Sequence, residues 1–160
     1  MLAGWDHFAD LVRGEVADGV MALLNDPVPL ADALASRPCT LIHGDLWPVN
    51  TATTDDAIVL LDWNLATWAP PALDIAYLLA GAGAANIAIS REAVLDMYRS
   101  LCGPAHDATA MALALLNGLL DFGWNKALDA ATATDRAKRQ RHRADLDWWV
   151  RQAAAALRIL

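Results

Sequence analysis

Two periodicities alternate along the chain. Trp5, Phe8, Val12, Val16, Val20, Leu23 and Leu24 recur at steps of three and four, which predicts an amphipathic helix over residues 5–24. Asn25-Asp26-Pro27 ends it, and Pro29 to Ser36 has room for at most two further turns before Pro38. The period then shortens. Cys39 to Ile42 is an apolar run after a proline, and Ile58 to Leu61 is a second, as buried strands would be. Thr53-Thr54-Asp55-Asp56 between them is a turn signal. With the turn centred near Asp56, residues facing each other in an antiparallel hairpin have numbers summing to about 112, which sets Asn50 against Asp62, about 5 Å apart at the backbone.

Beyond Asp62 the segment to Pro71 reads as irregular, and helical spacing then returns. Pro70-Pro71 sets up a helix from about Ala72 to Ala80, which Gly81 and Gly83 are expected to stop. Ser90 caps a helix to Leu101, with Gly103-Pro104 beyond its end. Asp107 caps another to about Leu128, apolar on most faces and so expected at the centre of a bundle. Thr134 or Asp135 begins a last helix to near Leu157. The expectation is an α+β, mostly helical chain, residues 1–160 forming a single domain, with one small β-hairpin pinned against helices because two strands do not stand alone.

Composition narrows the partners. Hydrophobic residues make up 56% of the 160, rich in Ala and Leu, which suits a helical core and leaves apolar surface for a partner. A net charge of −7 argues against nucleic acid and anionic membrane, which need a basic face. The basic run Arg136 to Arg143 covers more than one helical face and reads as a solvated surface. Cys39 and Cys102 are read as buried free thiols. The start has no signal-peptide pattern, and the longest apolar stretch, Met111 to Leu120, is about half of the ~20 residues a bilayer requires, so a cytoplasmic protein is expected.

The candidate chemistry lies in the hairpin. A carboxylate and an amide oxygen side by side, Asp62 and Asn50, are hard ligands suited to Mg²⁺, which typically takes one or two protein ligands together with phosphate oxygens and water. Asp45 lies just after the first strand, a candidate base for a substrate hydroxyl. An Asp, four residues, an Asn, then a metal-binding Asp is the order of a kinase catalytic loop.

His43-Gly44-Asp45-Leu46-Trp47-Pro48-Val49-Asn50, with Leu61-Asp62-Trp63 and Pro71-Ala72-Leu73-Asp74-Ile75-Ala76, resembles the aminoglycoside phosphotransferase and choline kinase-like group, small-molecule kinases with a protein-kinase-like fold. The resemblance is tight over about residues 39–80. It implies the C-terminal lobe of that fold, with ATP and Mg²⁺ as cofactors and a small-molecule hydroxyl as acceptor. It implies that Asp45 is the catalytic base and that Asn50 and Asp62 are the Mg²⁺ ligands holding the ATP phosphates. His43 and Asp74 would be structural supports of the catalytic loop. Gly44 stands where protein kinases have an Arg that reads a phosphorylated activation loop, which argues against such control.

Such a kinase also needs a Gly-rich hairpin over the phosphates and a Lys paired with a helix Glu. The only lysines are Lys126 and Lys138, in helical segments, so the N-terminal nucleotide-binding lobe is expected to be missing, supplied by the same gene or by a separate chain. The isolated chain is expected to be weak or inactive. On the acceptor side the candidates are Asp121, Trp124 and Trp148, since carboxylates beside indoles hold amines. The alternative function is a non-catalytic binding or scaffold domain of the same descent.

Overall fold

The computed structural model describes residues 2–84 and 90–160. Seven helices and four three-residue strands follow one another among these residues. Helices α1 (Leu2–Leu11), α2 (Glu15–Asn25) and α3 (Val28–Ala35) precede strand β1 (Thr40–Ile42). Strands β2 (Thr51–Thr53), β3 (Ile58–Leu60) and β4 (Thr67–Ala69) come next, then α4 (Ala72–Ala84), α5 (Arg91–Cys102), α6 (Ala108–Thr132) and α7 (Arg136–Ala156).

The long central helix organises the rest. Helix α6 packs against α1, α3, α4 and α7. It contributes Leu113, Ala114, Leu116, Leu119 and Ala127 to the core, where they meet Phe8, Val20, Leu146 and Trp149. Its expected cap is present: Asp107 Oδ1 accepts from the Ala110 N–H at 2.9 Å. The same carboxylate pairs with Arg37 at 2.6 Å, tying α6 to the segment that leads into β1. Burial pulls the Asp107 carboxyl upward, but the Ala110 N–H and Arg37 outweigh it and the net shift is down. Asp135 caps α7 and Ser90 caps α5 in the same way, each accepting from the N–H three residues on.

Four expectations change. The helix over residues 5–24 is two helices, broken around Arg13-Gly14, where Gly14 takes a left-handed φ of 76° that a helix does not allow. The apolar period runs through the break because α1 serves α6 while α2 serves α7, so periodicity alone conceals it. Helix α4 does not stop at Gly81 and Gly83 but continues to Ala84. Gly81 is there for packing: a Cβ on it would run into the Trp47 ring.

The single hairpin is replaced by two two-stranded antiparallel sheets, β1 with β4 and β2 with β3. Strand β4 lies in the segment read as irregular, and Leu41 faces Trp68 across that pair. In the other, Thr51 faces Leu60 and the Thr54 N–H bonds the Ala57 carbonyl, so the turn is a two-residue loop, Asp55-Asp56. Its centre lies between those residues, one half-step from the expected one. Asn50 therefore opposes Leu61, whose N–H it receives at 2.8 Å, and Asp62 lies one residue beyond the pairing. The loop from His43 to Asn50 joins the two sheets rather than sitting inside one hairpin.

Candidate active site

Three elements converge on that loop. Helix α4 holds it from below: Asp74, in the first turn, accepts the His43 N–H at 2.8 Å on one oxygen and the Gly44 N–H at 2.9 Å on the other. A carboxylate taking two backbone donors fixes two successive peptide planes, and charge-assisted bonds of this kind are about twice as strong as neutral ones. Gly44 has φ 78°, and a side chain there would strike the Leu65 carbonyl, so this glycine lets the segment after Asp62 lie against the loop.

His43 is 1% exposed and satisfied at both nitrogens. Nε2 lies 2.7 Å from the Leu61 carbonyl, and Nδ1 is 3.3 Å from the Asp45 N–H, which sets the tautomer with the proton on Nε2. Trp63 lies against its ring with centroids 4.7 Å apart. His43 thus joins the strand before Asp45 to the residue before Asp62, and has no lone pair left for a metal.

Asp45 and Asn50 meet directly. The Asn50 Nδ2 donates to Asp45 Oδ2 at 2.9 Å and to the Asp45 carbonyl at 3.0 Å. Pro48–Asn50 forms a single 3₁₀ turn, and this tight turn brings the amide back across four residues to the carboxylate. With its nitrogen spent on Asp45, Asn50 presents its oxygen as the atom free to ligate a cation. Asp62 is the one non-glycine residue with positive φ among the described residues, at φ 61° and ψ 65°. Such a conformation costs about 1–3 kcal/mol and is found most often where a site requires it. Asn64 donates its side-chain amide to Asp62 Oδ1, and the Asp62 side chain faces solvent. Among the described residues no group of three or more His, Cys, Asp or Glu side chains is arranged as a metal cage. One amide oxygen and one carboxylate fit Mg²⁺, a hard cation that keeps several waters and phosphate oxygens.

Sequence reasoning missed an aromatic wall beside Asp45. Trp47 stacks on Phe122 at 5.7 Å, and Tyr77 meets both rings edge-on at 6.2 and 5.2 Å. Tyr77 is one turn beyond Asp74, and its position on the Asp74 face was the available signal. Burial, with Asp45 and Asp121 nearby, pushes its phenol up to about 12. Asp121 therefore comes to this side of the molecule, where Asn117 donates to it at 2.8 Å. Its outer edge is exposed, but crowding on the protein side pushes its carboxyl up to about 6.

The other acceptor-side candidates lie elsewhere in the contact network. Trp124 is half-buried, with its indole N–H on the Asp121 carbonyl at 3.1 Å and its backbone against Gly4. Trp148 engages α5: its N–H bonds Glu92 at 3.0 Å and Arg91 stacks over its ring at 4.5 Å. Arg91 also pairs with Asp145, to which the buried Lys126 bonds at 3.0 Å, and burial holds the Lys126 ammonium below the ordinary range against the pull of Asp145.

A family model described as the phosphotransferase enzyme family matches residues 2–113, more than two-thirds of the chain. The chain belongs to that family. This phosphotransferase match takes in Asp45, Asn50, Asp62 and Asp74 and ends within α6, before Asp121, Trp124 and Trp148. It agrees with the resemblance to the aminoglycoside phosphotransferase and choline kinase-like group. No curated protein and no solved structure matches the chain. Among the described residues no helix of the chain is long and apolar enough to cross a membrane.

Proposed function

We propose that this chain is the large helical lobe of a small-molecule kinase, moving the γ-phosphoryl of ATP to a hydroxyl. The observation that carries the reading is the Asn50 amide set on the Asp45 carboxylate, in a loop whose backbone Asp74 clamps. Asp45 is held in one orientation, facing the side where Tyr77 and Asp121 lie, and would accept the proton of an acceptor hydroxyl as it attacks. Asn50 and Asp62 would hold Mg²⁺ on the triphosphate. The metal, when bound, neutralises charge on the phosphate oxygens. Trp47, Tyr77 and Phe122 would form the wall against which the acceptor rests, with Asp121 attracting a positively charged group on it.

The triphosphate needs a cover that the described residues do not supply, so a nucleotide-binding lobe, from the same gene or a separate chain, is part of the proposal. Supporting it, apolar side chains stand exposed around the loop: Val49 and Trp68 at 72%, Ile58 at 73%, Leu41 at 61%. Large apolar side chains left exposed in this number suit an interaction face. The substrate side of the reading is an amine-bearing alcohol in the cytoplasm, without nucleic acid or membrane.

The test uses the two-lobe protein. Asp45→Asn is expected to lower turnover by about 10²-fold or more while leaving Mg-ATP affinity unchanged. Unchanged turnover would remove Asp45 from its role. For residues 1–160 alone, weak Mg-ATP binding and little turnover are expected; micromolar affinity with steady turnover would overturn the two-lobe requirement.

A further inference from the structure

Cys39 and Cys102 stand 63 positions apart in the chain, yet both line one cavity of about 220 Å³ between the start of β1 and the end of α5. Each is free and half-buried. Cys39 Sγ donates to the Arg37 carbonyl at 3.1 Å, and Tyr98, one turn before Cys102 in α5, lines the same cavity.

We propose that Cys39 and Cys102 form a redox modification site, closing reversibly into an intramolecular disulfide across this cavity. A disulfide brings Cα atoms to about 4.4–6.8 Å, so the two segments that line the cavity draw together as the bond forms. Both thiols lie where the chain leaves regular structure. Cys39 is between Pro38 and β1, and Cys102 is the last residue of α5, before Gly103-Pro104.

Hydrogen peroxide supplies the oxidant. The Cys102 thiolate attacks one peroxide oxygen, the O–O bond breaks, and protonation releases water and leaves a sulfenic acid. The Cys39 sulfur then attacks the sulfenic sulfur, the S–S bond forms, and the hydroxyl leaves with the Cys39 proton as a second water. Two thiols lose two electrons and the peroxide gains them.

The segment enclosed by the bond contains Asp45, Asn50, Asp62 and Asp74, so the oxidised chain carries its whole candidate site inside one covalent loop. Chain 1–160, dilute and pre-reduced, is treated with hydrogen peroxide and followed by intact mass and free-thiol count. The expected product is a monomer in which both thiols disappear together with the loss of two hydrogens, restored by dithiothreitol and melting higher than the reduced form. Cys39→Ser and Cys102→Ser should each give oxygen addition or a covalent dimer instead. Oxygen addition to the wild-type thiols at the same independent rates as in the single variants, or a covalent dimer as the wild-type product, would overturn the pairing.

Discussion

Asp62 shows how backbone and chemistry are set by the same residue. Its left-handed φ favours Asp, Asn or Gly, whose backbone or short polar side chain tolerates that region. Asp62→Asn is therefore expected to keep stability within about 0.5 kcal/mol while weakening Mg-dependent nucleotide binding. Asp62→Ala should lose about 1–2 kcal/mol besides. Urea denaturation and a Mg²⁺ titration of the two-lobe protein separate these effects, and equal stability of the two variants would remove the backbone argument. Asp121 makes a prediction in pH. With the carboxyl raised to about 6 by burial, the folded chain binds a proton that the unfolded chain releases near ~3.9, so stability is greater below that lower value and falls as pH rises through 6. Asp121→Asn should flatten this part of the profile, and a wild-type profile as flat as the variant's would contradict it. At this scale much was legible in the sequence: the order Asp45, Asn50, Asp62, Asp74 is visible in the letters. The facing of Asn50 and Asp62 was not, because a two-residue loop and a three-residue loop carry the same turn signal.

Among the elements, α4 does most to shape the site. One face carries Asp74 under the loop backbone, Tyr77 beside Asp45, and Gly81 beneath Trp47. Gly81→Ala would improve helix propensity by about 1 kcal/mol. The collision with the Trp47 ring should nevertheless reverse the sign, giving a net loss of about 1–3 kcal/mol in chemical denaturation. A gain in stability would show that Trp47 has room to move. Sequence reading stopped this helix at Gly81 because local propensity was the only information available there; the partner that makes glycine necessary is 34 residues away. The caps at Ser90, Asp107 and Asp135 were legible for the opposite reason, since each partner N–H lies three residues ahead. Strand β4 was hidden because three residues carry little pattern and it exists only through pairing with β1.

At the scale of the whole molecule, the core is distributed unevenly. The bundle around α6 holds most of the buried side chains, whereas the two small sheets leave Val49, Ile58 and Trp68 in water. Val49→Lys with Ile58→Lys should therefore leave the unfolding free energy of the chain within about 0.5 kcal/mol while reducing apolar-dye binding and association with a nucleotide-binding lobe. A loss of several kcal/mol would place those side chains in the core after all. The central position of α6 was legible from its apolar faces, and the 56% hydrophobic content was read as leaving some apolar surface exposed. Where that surface lies was not, because exposure depends on which strands pair, and the pairing differs from the expected one.

The two bonds from Asp74 to successive peptide N–H groups carry a consequence on the time axis. The amide protons of His43 and Gly44 are held by a carboxylate on α4, so solvent deuterium reaches them only when loop and helix part. These two protons should therefore report the parting of loop and helix. If a bound nucleotide or acceptor tightens that loop, the slowing should be read first at these two protons.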